Sequence, residues 1–323
     1  MRQLLLTLTF LLAFISYSQN YNHVDSIVSN YPDKFRSINY FANRVAKDFD
    51  TDLDKTRAVY YWIANHIVYD YKSRRNGSNG YKSIEVTTED DYKHKLLAME
   101  KKYAERALKR KLAVCEGYAQ LFKFTLLELG IETEVISGFA RINPSEIGRI
   151  RNDTNHAWNA VKIQNEWKLV DATWSTGSEE EVPERFNFRD TYFFIAPEDL
   201  ILSHFPKDKK WQLLKNPLDK ADYFYQPLFY ETYYDSGLKL KEKTQGLIKI
   251  KSKDFIEITF DAIDPTHNYY YAFSEFSTSK KLFFEKKNGK YVTKIPFNSN
   301  RKTVLGIYHN FTAAIDFKII PAK

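Results

Sequence analysis

The hydrophobic period of this chain changes at Gly130, and that change restricts the folds open to it. Before Gly130, the segment KLAVCEGYAQLFKFTLLELG places its apolar residues on one stripe at helical spacing. After it, ETEVISGFAR, HAWNAVKI and EWKLVDATW alternate apolar and polar residues with the period of strands. The upstream segments SINYFANRVAKDF, TDLDKTRAVYYWIANHIVYD and AMEKKYAERALKRK also have helical patterns. Helices followed by strands predict an α+β domain with an antiparallel sheet.

The pattern changes again beyond about Pro217, where short aromatic and β-branched runs succeed one another. Six or seven short strands over about a hundred residues predict a β-sandwich of immunoglobulin-like architecture. Asn288 and Gly289 are a strong signal for a hairpin turn within it. A chain of 323 residues is long enough for two cores. We therefore predict an α+β domain at residues 19–217 and an all-β sandwich at residues 218–323.

The first residues, MRQLLLTLTFLLAFISYSQ, have the pattern of a secretory signal peptide. Arg2 supplies a positive charge, residues 4–15 form an apolar core too short to span a bilayer, and Ser16 and Ser18 are small residues at the positions read by a signal peptidase. This predicts a signal peptide at residues 1–18, cleaved after Ser18, and a secreted or periplasmic protein. A hydrophobic first helix of the folded domain is the alternative. No later apolar run approaches the length of a membrane span.

Charge and composition argue against several classes of partner. The net charge is +7, but the lysines alternate with acidic residues, as on a solvated surface, and no nucleic-acid-reading module is recognisable. We predict no nucleic-acid partner. The sequence has one cysteine, no HExxH spacing and no phosphate-binding glycine motif. We therefore predict no metal site and no other cofactor. The acidic run at residues 179–181 is most simply a solvated loop, since its spacing does not resemble a dedicated calcium loop.

Cys115 is the only cysteine of the chain, so it forms no internal disulfide. It lies where a helix is predicted to begin, and the unpaired N–H groups and dipole of a helix N-terminus favour a thiolate. A histidine could take the thiol proton, and a carboxylate could hold that histidine in the right tautomer. His156 and Asp171 are the candidates. The alternative is a small buried hydrophobic residue with no chemical role.

Strand geometry tests whether His156 and Asp171 can meet. If a two-residue turn at Gln164 and Asn165 joins their strands, Trp158 lies directly opposite Asp171. His156 shares a face with Trp158, because side chains alternate along a strand. Asp171 is then the diagonal neighbour of His156, with backbones about 7 to 8 Å apart. A turn of odd length without a bulge would place the two side chains on opposite faces.

The blocks KLAVCEGYAQLF, NHAWNAVKI and WKLVDATW resemble, in the same order, the three signature blocks of the transglutaminase-like superfamily, whose fold is related to that of papain. The flanking segments DKTRAVYYWIANHIVYD and TYFFIAPEDLILSHFPKDKKWQLL resemble a subgroup similar to the kyphoscoliosis peptidase and to bacterial secreted proteins. The resemblance covers roughly residues 40–214 and excludes the sandwich. Ala113 departs from it, because the family often has glycine there.

This resemblance implies a cysteine hydrolase or transferase with a catalytic triad. Cys115 would be the nucleophile, His156 the general base and acid, and Asp171 its orienting partner. The Cys115 N–H would be one oxyanion donor, and the sequence identifies no second one. The reaction would be acyl transfer from a protein or peptide amide through a thioester to water, as in a cysteine protease. Two alternatives stay open: cross-linking of glutamine to an amine, and a non-catalytic scaffold.

Two tryptophans and two further histidines have structural interpretations. Trp158 and Trp174 flank the predicted cleft, although an aromatic residue beside a strand is more often part of the core. His66 and His204 are assigned as structural or surface residues. The sandwich could bind a polymer or protein partner, position the substrate, or only act as a spacer.

Overall fold

A computed structural model describes residues 21–76, 88–177, 182 and 186–322 of the chain. The predicted signal peptide and the acidic run at 179–181 lie outside the described residues. The helices are α1 Asn22–Val28, α2 Ile38–Asp48, α3 Asp52–His66, α4 Tyr71–Arg75, α5 Glu89–Arg110, α6 Cys115–Glu128, α7 Pro197–Leu200, α8 Lys220–Tyr225 and α9 Thr232–Asp235.

Within the part of the chain that the structure describes, the strands form four sheets. They are β1 Val68–Tyr69, β2 Leu112–Ala113, β3 Thr133–Ala140, β4 His156–Ile163, β5 Glu166–Val170, β6 Phe193–Ile195, β7 His204–Pro206, β8 Leu228–Phe229, β9 Lys239–Leu240, β10 Leu247–Ile250, β11 Asp254–Ala262, β12 Tyr269–Phe273, β13 Lys280–Lys281, β14 Glu285–Lys287, β15 Lys290–Phe297, β16 Thr303–His309 and β17 Thr312–Pro321.

Two of the predicted helices begin at residues whose side chains cap them. The hydroxyl of Ser37 accepts from the N–H of Tyr40 before α2, and that of Thr51 accepts from the N–H of Asp54 before α3. Helix α6 ends as predicted, with Gly130 in the left-handed region at a φ of 76°. These helices therefore start and stop where short-range chemistry directs.

The end of α3 differs from the prediction, because the segment that ends in IVYD is not helical throughout. Helix α3 stops at His66, and Val68 and Tyr69 instead form β1, which pairs in parallel with β2. The N–H of Val68 donates to the carbonyl of Lys111 at 2.9 Å, a partner 43 residues away. Long-range pairing overrides the helical pattern there, and it places Tyr69 beside the chain that leads into α6.

The α+β part of the chain is built on an antiparallel five-stranded sheet in the order β6-β5-β4-β3-β7. Helix α6 packs on this sheet, and the helices share its largest core with one face of β4 and β5 through residues such as Trp62, Phe122 and Val161. The opposite face, with Trp158 and Leu169, forms a smaller core. The predicted α+β architecture, helices packed on an antiparallel sheet, is confirmed.

The C-terminal strands form two sheets over one core. One has the order β10-β17-β16-β12-β13, with β8 also pairing with β17, and the other has the order β14-β15-β11-β9. Residues from both line the shared interior, among them Phe260 and Ile295 of one sheet and Ile315 and Phe317 of the other. The predicted sandwich is therefore present, and the hairpin turn at Asn288 and Gly289 joins β14 to β15. The boundary at residue 217 stays a prediction.

Within the described ranges, no helix combines the length and the apolar character needed to cross a bilayer.

Candidate active site

Cys115 is the first residue of α6. The preceding Val114 is extended, with φ −85° and ψ 174°, so the chain enters the helix directly from β2. Pairing of Tyr69 with Ala113 holds that entry in place. The first N–H groups of a helix have no acceptor within it, so the Cys115 N–H points out of the helix end. Cys115 is itself partly exposed to solvent.

Asn159 fixes the helix that carries Cys115 against the strand that carries His156. This buried β4 residue donates from its side-chain amide to the carbonyl of Ala119 in α6 at 3.0 Å and to that of Glu134 in β3 at 3.1 Å. Hydrogen bonds to two different elements from one amide leave little freedom for sliding between them.

The hairpin of β4 and β5 has the predicted register. Ile163 pairs with Glu166 and Asn159 with Val170, around a turn in which Gln164 and Asn165 both have positive φ, at 50° and 65°. Continued by one pair, this register brings Asp171 level with Trp158. The Nε2 atom of His156 lies 2.5 Å from Oδ2 of Asp171, and both side chains are buried.

Asp171 is anchored at both oxygens. Its Oδ1 accepts from the backbone N–H groups of Thr173 at 2.8 Å and Trp174 at 3.0 Å, so the carboxylate also organises the turn after β5. Burial by itself raises the pKa of Asp171, but the charge and hydrogen bond of His156, followed by those of His204, outweigh it and hold the pKa below its usual range. Asp171 is an anion throughout the physiological pH range.

His156 is correspondingly held in its charged form. Burial lowers its pKa, but the charge and hydrogen bond of Asp171, together with smaller contributions from Cys115, raise it to about 10. Because Cys115 is among the groups that raise this pKa, its thiol lies near the ring. Because Nε2 faces Asp171, Nδ1 is the ring nitrogen left for Cys115. The structure thus brings together the three residues that the sequence singled out.

His204, which sequence reasoning assigned to a structural or surface role, lies at the centre of this site. Its Nε2 is 3.0 Å from Oδ2 of Asp171, the same oxygen that His156 binds, and its side chain is fully buried. The prediction that His204 could lie at the surface is therefore wrong. The available signal was its place in the SHFP segment of the block TYFFIAPEDLILSHFPKDKKWQLL, but β7 has only three residues and shows no readable alternation.

His66, by contrast, makes the contacts of a structural residue. Its ring stacks on that of Trp62 at 4.6 Å, and its Nδ1 lies 2.9 Å from the Trp62 carbonyl oxygen one helical turn earlier.

A cleft of about 270 Å³ opens beside His156. Tyr69 and Arg74 line one part of it and Trp174 lines another. Trp158 does not line this cleft; it is 1% exposed and belongs to the core beneath His156, which is the role that the sequence favoured for an aromatic residue beside a strand. Residues 228–231, from the region predicted to belong to the sandwich domain, complete the wall.

His156, Asp171 and His204 offer three possible metal ligands within 4.8 Å of one another. Zinc at 2.0–2.1 Å from its ligands in tetrahedral geometry separates ligand atoms by roughly 3.3 Å. The 2.5 Å contact between His156 and Asp171 is shorter than that, and both contacts to Oδ2 have the lengths of hydrogen bonds. The arrangement fits proton sharing better than metal binding.

Comparison with known families shows which kind of domain carries this site. The model of the transglutaminase-like superfamily matches residues 39–172, a range that contains Cys115, His156 and Asp171. The chain contains a transglutaminase-like domain. His204 lies beyond the matched range of that domain.

The relatives of the transglutaminase-like domain include peptidases by name. The chain is 24% identical to the human kyphoscoliosis peptidase over 252 residues, which are 77% of this chain and 35% of that protein. It is 26% identical to the mouse kyphoscoliosis peptidase over 216 residues, 66% of this chain and 30% of the other. It thus spans about a third of the length of these relatives. A solved structure described as a TGase is 17% identical, covers 53% of this chain and 37% of its own, and has a TM-score of 0.28.

Proposed function

We propose that this protein is a cysteine-dependent acyl-transfer enzyme that hydrolyses amide bonds in proteins or peptides through a thioester on Cys115. The observation that carries the proposal is the buried hydrogen bond between His156 and Asp171, with the thiol of Cys115 in reach of the same imidazole. Nucleophilic catalysis requires a nucleophile near a base that a carboxylate orients.

In the first half of the reaction, the sulfur of Cys115 attacks the carbonyl carbon of the amide. The C–S bond forms as the carbonyl π electrons move to oxygen, giving a tetrahedral oxyanion. His156 holds the proton that the thiol gives up and delivers it to the departing nitrogen when the C–N bond breaks. The products are a free amine and a thioester on Cys115.

In the second half, water replaces the amine. His156 takes a proton from the water as the water oxygen attacks the thioester carbon, and the C–S bond then breaks to leave a carboxylic acid. The sulfur leaves as a thiolate beside the protonated His156, which restores the starting state. Throughout both halves, Asp171 stabilises the imidazolium and keeps Nδ1 of His156 turned toward the sulfur.

In this proposal, two groups stabilise the oxyanion. One is the N–H of Cys115 at the start of α6. The other is the hydroxyl of Tyr69, which lies in the cleft wall and accepts a hydrogen bond from Arg74 at 3.1 Å. Because Arg74 donates to the oxygen, the phenolic proton stays free for a ligand. Burial and the nearby Cys115 raise the pKa of Tyr69 to about 12, so the hydroxyl keeps that proton.

Water is the proposed acceptor for two reasons. The partly exposed Cys115 gives water access to a thioester. The human and mouse relatives are named peptidases. Transfer to an amine and a non-catalytic scaffold remain the alternatives.

The experiment offers casein together with dansylcadaverine as an amine acceptor. Wild-type protein is expected to leave casein without dansyl label and, in a parallel reaction without dansylcadaverine, to release new primary amines detected with fluorescamine. Cys115→Ala, with its fold checked by circular dichroism, should release none. Stable incorporation of the dansyl amine into casein would show that the reaction is cross-linking and not hydrolysis. If wild type and Cys115→Ala give the same amine release and the same dansyl labelling over a panel of denatured proteins, catalysis is rejected.

We also propose that the protein is exported, on the pattern of residues 1–18. N-terminal sequencing of protein from the expressing cells tests this: a chain that starts at Gln19 supports export, and a chain that retains Arg2 rejects it.

The contribution of residues 228–231 to the cleft wall supports a role for the sandwich region in positioning a protein substrate.

A further inference from the structure

His156 and His204 approach each other across a strand that lies between theirs. His156 on β4 pairs with Gly138 on β3, and β3 pairs in turn with β7, which carries His204. Strands two positions apart in a sheet are about 9.5 Å from each other. The two imidazole rings nevertheless lie only 5.1 Å apart between centroids, so both lean inward over the middle strand.

Gly138 makes this approach possible. A Cβ atom at this position would lie 2.4 Å from the ring of Trp158, so no other residue fits without a shift. The Trp158 ring fills the space instead and contacts both imidazoles, at 5.9 Å from His156 and 5.2 Å from His204 between centroids. The packing of this face therefore brings both rings onto one carboxylate.

The hydrogen bonds of His204 fix its tautomer. Its Nδ1 lies 2.7 Å from the hydroxyl of Ser203, and its Nε2 faces the anion Asp171. A carboxylate accepts and does not donate, so Nε2 carries a proton and Nδ1 accepts from Ser203. Burial lowers the pKa of His204 to about 4, against the hydrogen bond of Asp171, so the ring is neutral. His204 adds a directed donor to Asp171 without adding a charge.

The other titratable groups that face this carboxylate are tyrosines. Tyr60 from α3, Tyr118 from α6 and Tyr192 from the turn before β6 each interact with Asp171, and burial raises the pKa of each well above its usual value. All three are neutral at physiological pH. Of these groups that face Asp171, only His156 carries a charge, and Arg74 lines the neighbouring cleft.

We propose that His204 is a positioning residue: its Nε2–H holds Oδ2 of Asp171 in the direction that keeps the His156 ring turned toward Cys115. With Oδ1 held by two backbone N–H groups and Oδ2 held by His204, the carboxylate cannot rotate about its Cβ–Cγ bond without losing hydrogen bonds in a buried site. This inference rests on the proposed function, in which His156 serves Cys115.

The test compares three variants. His204→Gln places an amide N–H where Nε2 was, His204→Leu fills the space without a donor, and Phe205→Leu trims a buried neighbour on the same strand that does not contact Asp171. Nitrogen-15 spectra of the histidines report tautomer and charge directly, and the rate at which iodoacetamide alkylates Cys115 reports the thiol. Neither readout requires a substrate.

We expect wild-type His204 to give the signals of a neutral Nε2–H ring between about pH 5 and pH 8. His204→Leu should slow alkylation about tenfold or more and shift the titration of His156, while His204→Gln stays within about threefold of wild type. Phe205→Leu should lower the melting temperature without these effects. If His204→Leu matches Phe205→Leu in alkylation and in the His156 titration, or if His204 is protonated at neutral pH, the positioning role is rejected.

The proposed function can fail separately. It fails if wild-type Cys115 reacts no faster than it does in His156→Gln. The nitrogen-15 spectra still decide then whether His204 holds Asp171 and governs His156, so the two failures are distinguishable.

Discussion

His156 and Asp171 meet because the turn that joins their strands contains two residues. Gln164 and Asn165 form it, and both adopt positive φ values, at 50° and 65°. A two-residue turn with positive φ at both positions is the type whose twist matches paired strands, and it favours Asn followed by Gly. Neither residue of this chain is the preferred one at its position. The geometry of the candidate site thus rests on a turn with a suboptimal sequence.

The double substitution Gln164→Asn and Asn165→Gly should therefore stabilise the hairpin. We expect the free energy of unfolding to rise by about 1 kcal/mol, because both replacements tolerate the left-handed region better. Urea denaturation measures this. Amide hydrolysis should not change, since the register is the same. A loss of stability would mean that the side chains of Gln164 and Asn165 contribute more than their backbone conformation costs.

Tyr69→Phe tests the proposed oxyanion donor. Removing one donor from a preorganised oxyanion site lowers kcat by about a hundredfold or more, while KM changes little. Steady-state kinetics on a chromogenic peptide amide separate the two constants. Tyr61→Phe is the matched control, because it removes a hydroxyl from α3 at a position outside the cleft. If Tyr69→Phe and Tyr61→Phe have the same kcat, the hydroxyl of Tyr69 has no part in the reaction.

The ion pair of His156 and Asp171 should give stability a specific pH dependence. The pKa of His156 is raised from 6.5 to about 10, so its contribution is fully present below about pH 6.5 and is lost as the pH rises through about 10. The pKa of Asp171 is lowered from 3.8, so its contribution is present above about pH 4 and is lost in stronger acid. These are two descriptions of one interaction.

Asp171→Asn should consequently cost most between about pH 4 and pH 6.5 and progressively less toward pH 10. The loss at pH 6 should be on the order of 3 kcal/mol, as for other buried pairs that lose one partner. Urea denaturation of both proteins at several pH values gives the difference. A difference that stays constant up to pH 10 would show that His156 is not charged in the folded protein.

Much of the site was readable from the sequence because it depends on local rules. The stripe after Cys115 predicts α6, and the alternation in HAWNAVKI and EWKLVDATW, with an even turn, predicts that His156 and Asp171 share a face. Each inference uses residues close together in the chain, where period and turn length are decisive. For the same reason, the first residue of α6 was predicted correctly.

His204 and Tyr69 escaped prediction because their positions depend on distant pairing. His204 lies near Asp171 only because β7 pairs with β3. Strand β1 forms only because it pairs with residues more than 40 positions later in the chain. Strands of two or three residues carry no measurable alternation. The sandwich shows the same limit: its main strands were predicted, whereas the parallel pairing of β10 with β17 was not. The signal peptide and the domain boundary remain predictions.

The central claim is that Cys115 is reactive because His156, held by Asp171, lies beside it. The rate of alkylation of the native protein by iodoacetamide at about pH 6 tests this most directly, since a single cysteine makes the mass increase unambiguous. The references are His156→Gln and the wild-type chain unfolded in urea. We predict that native wild-type protein reacts at least about tenfold faster than both. A native thiol that reacts no faster than the unfolded chain, or equally fast without His156, would contradict the account.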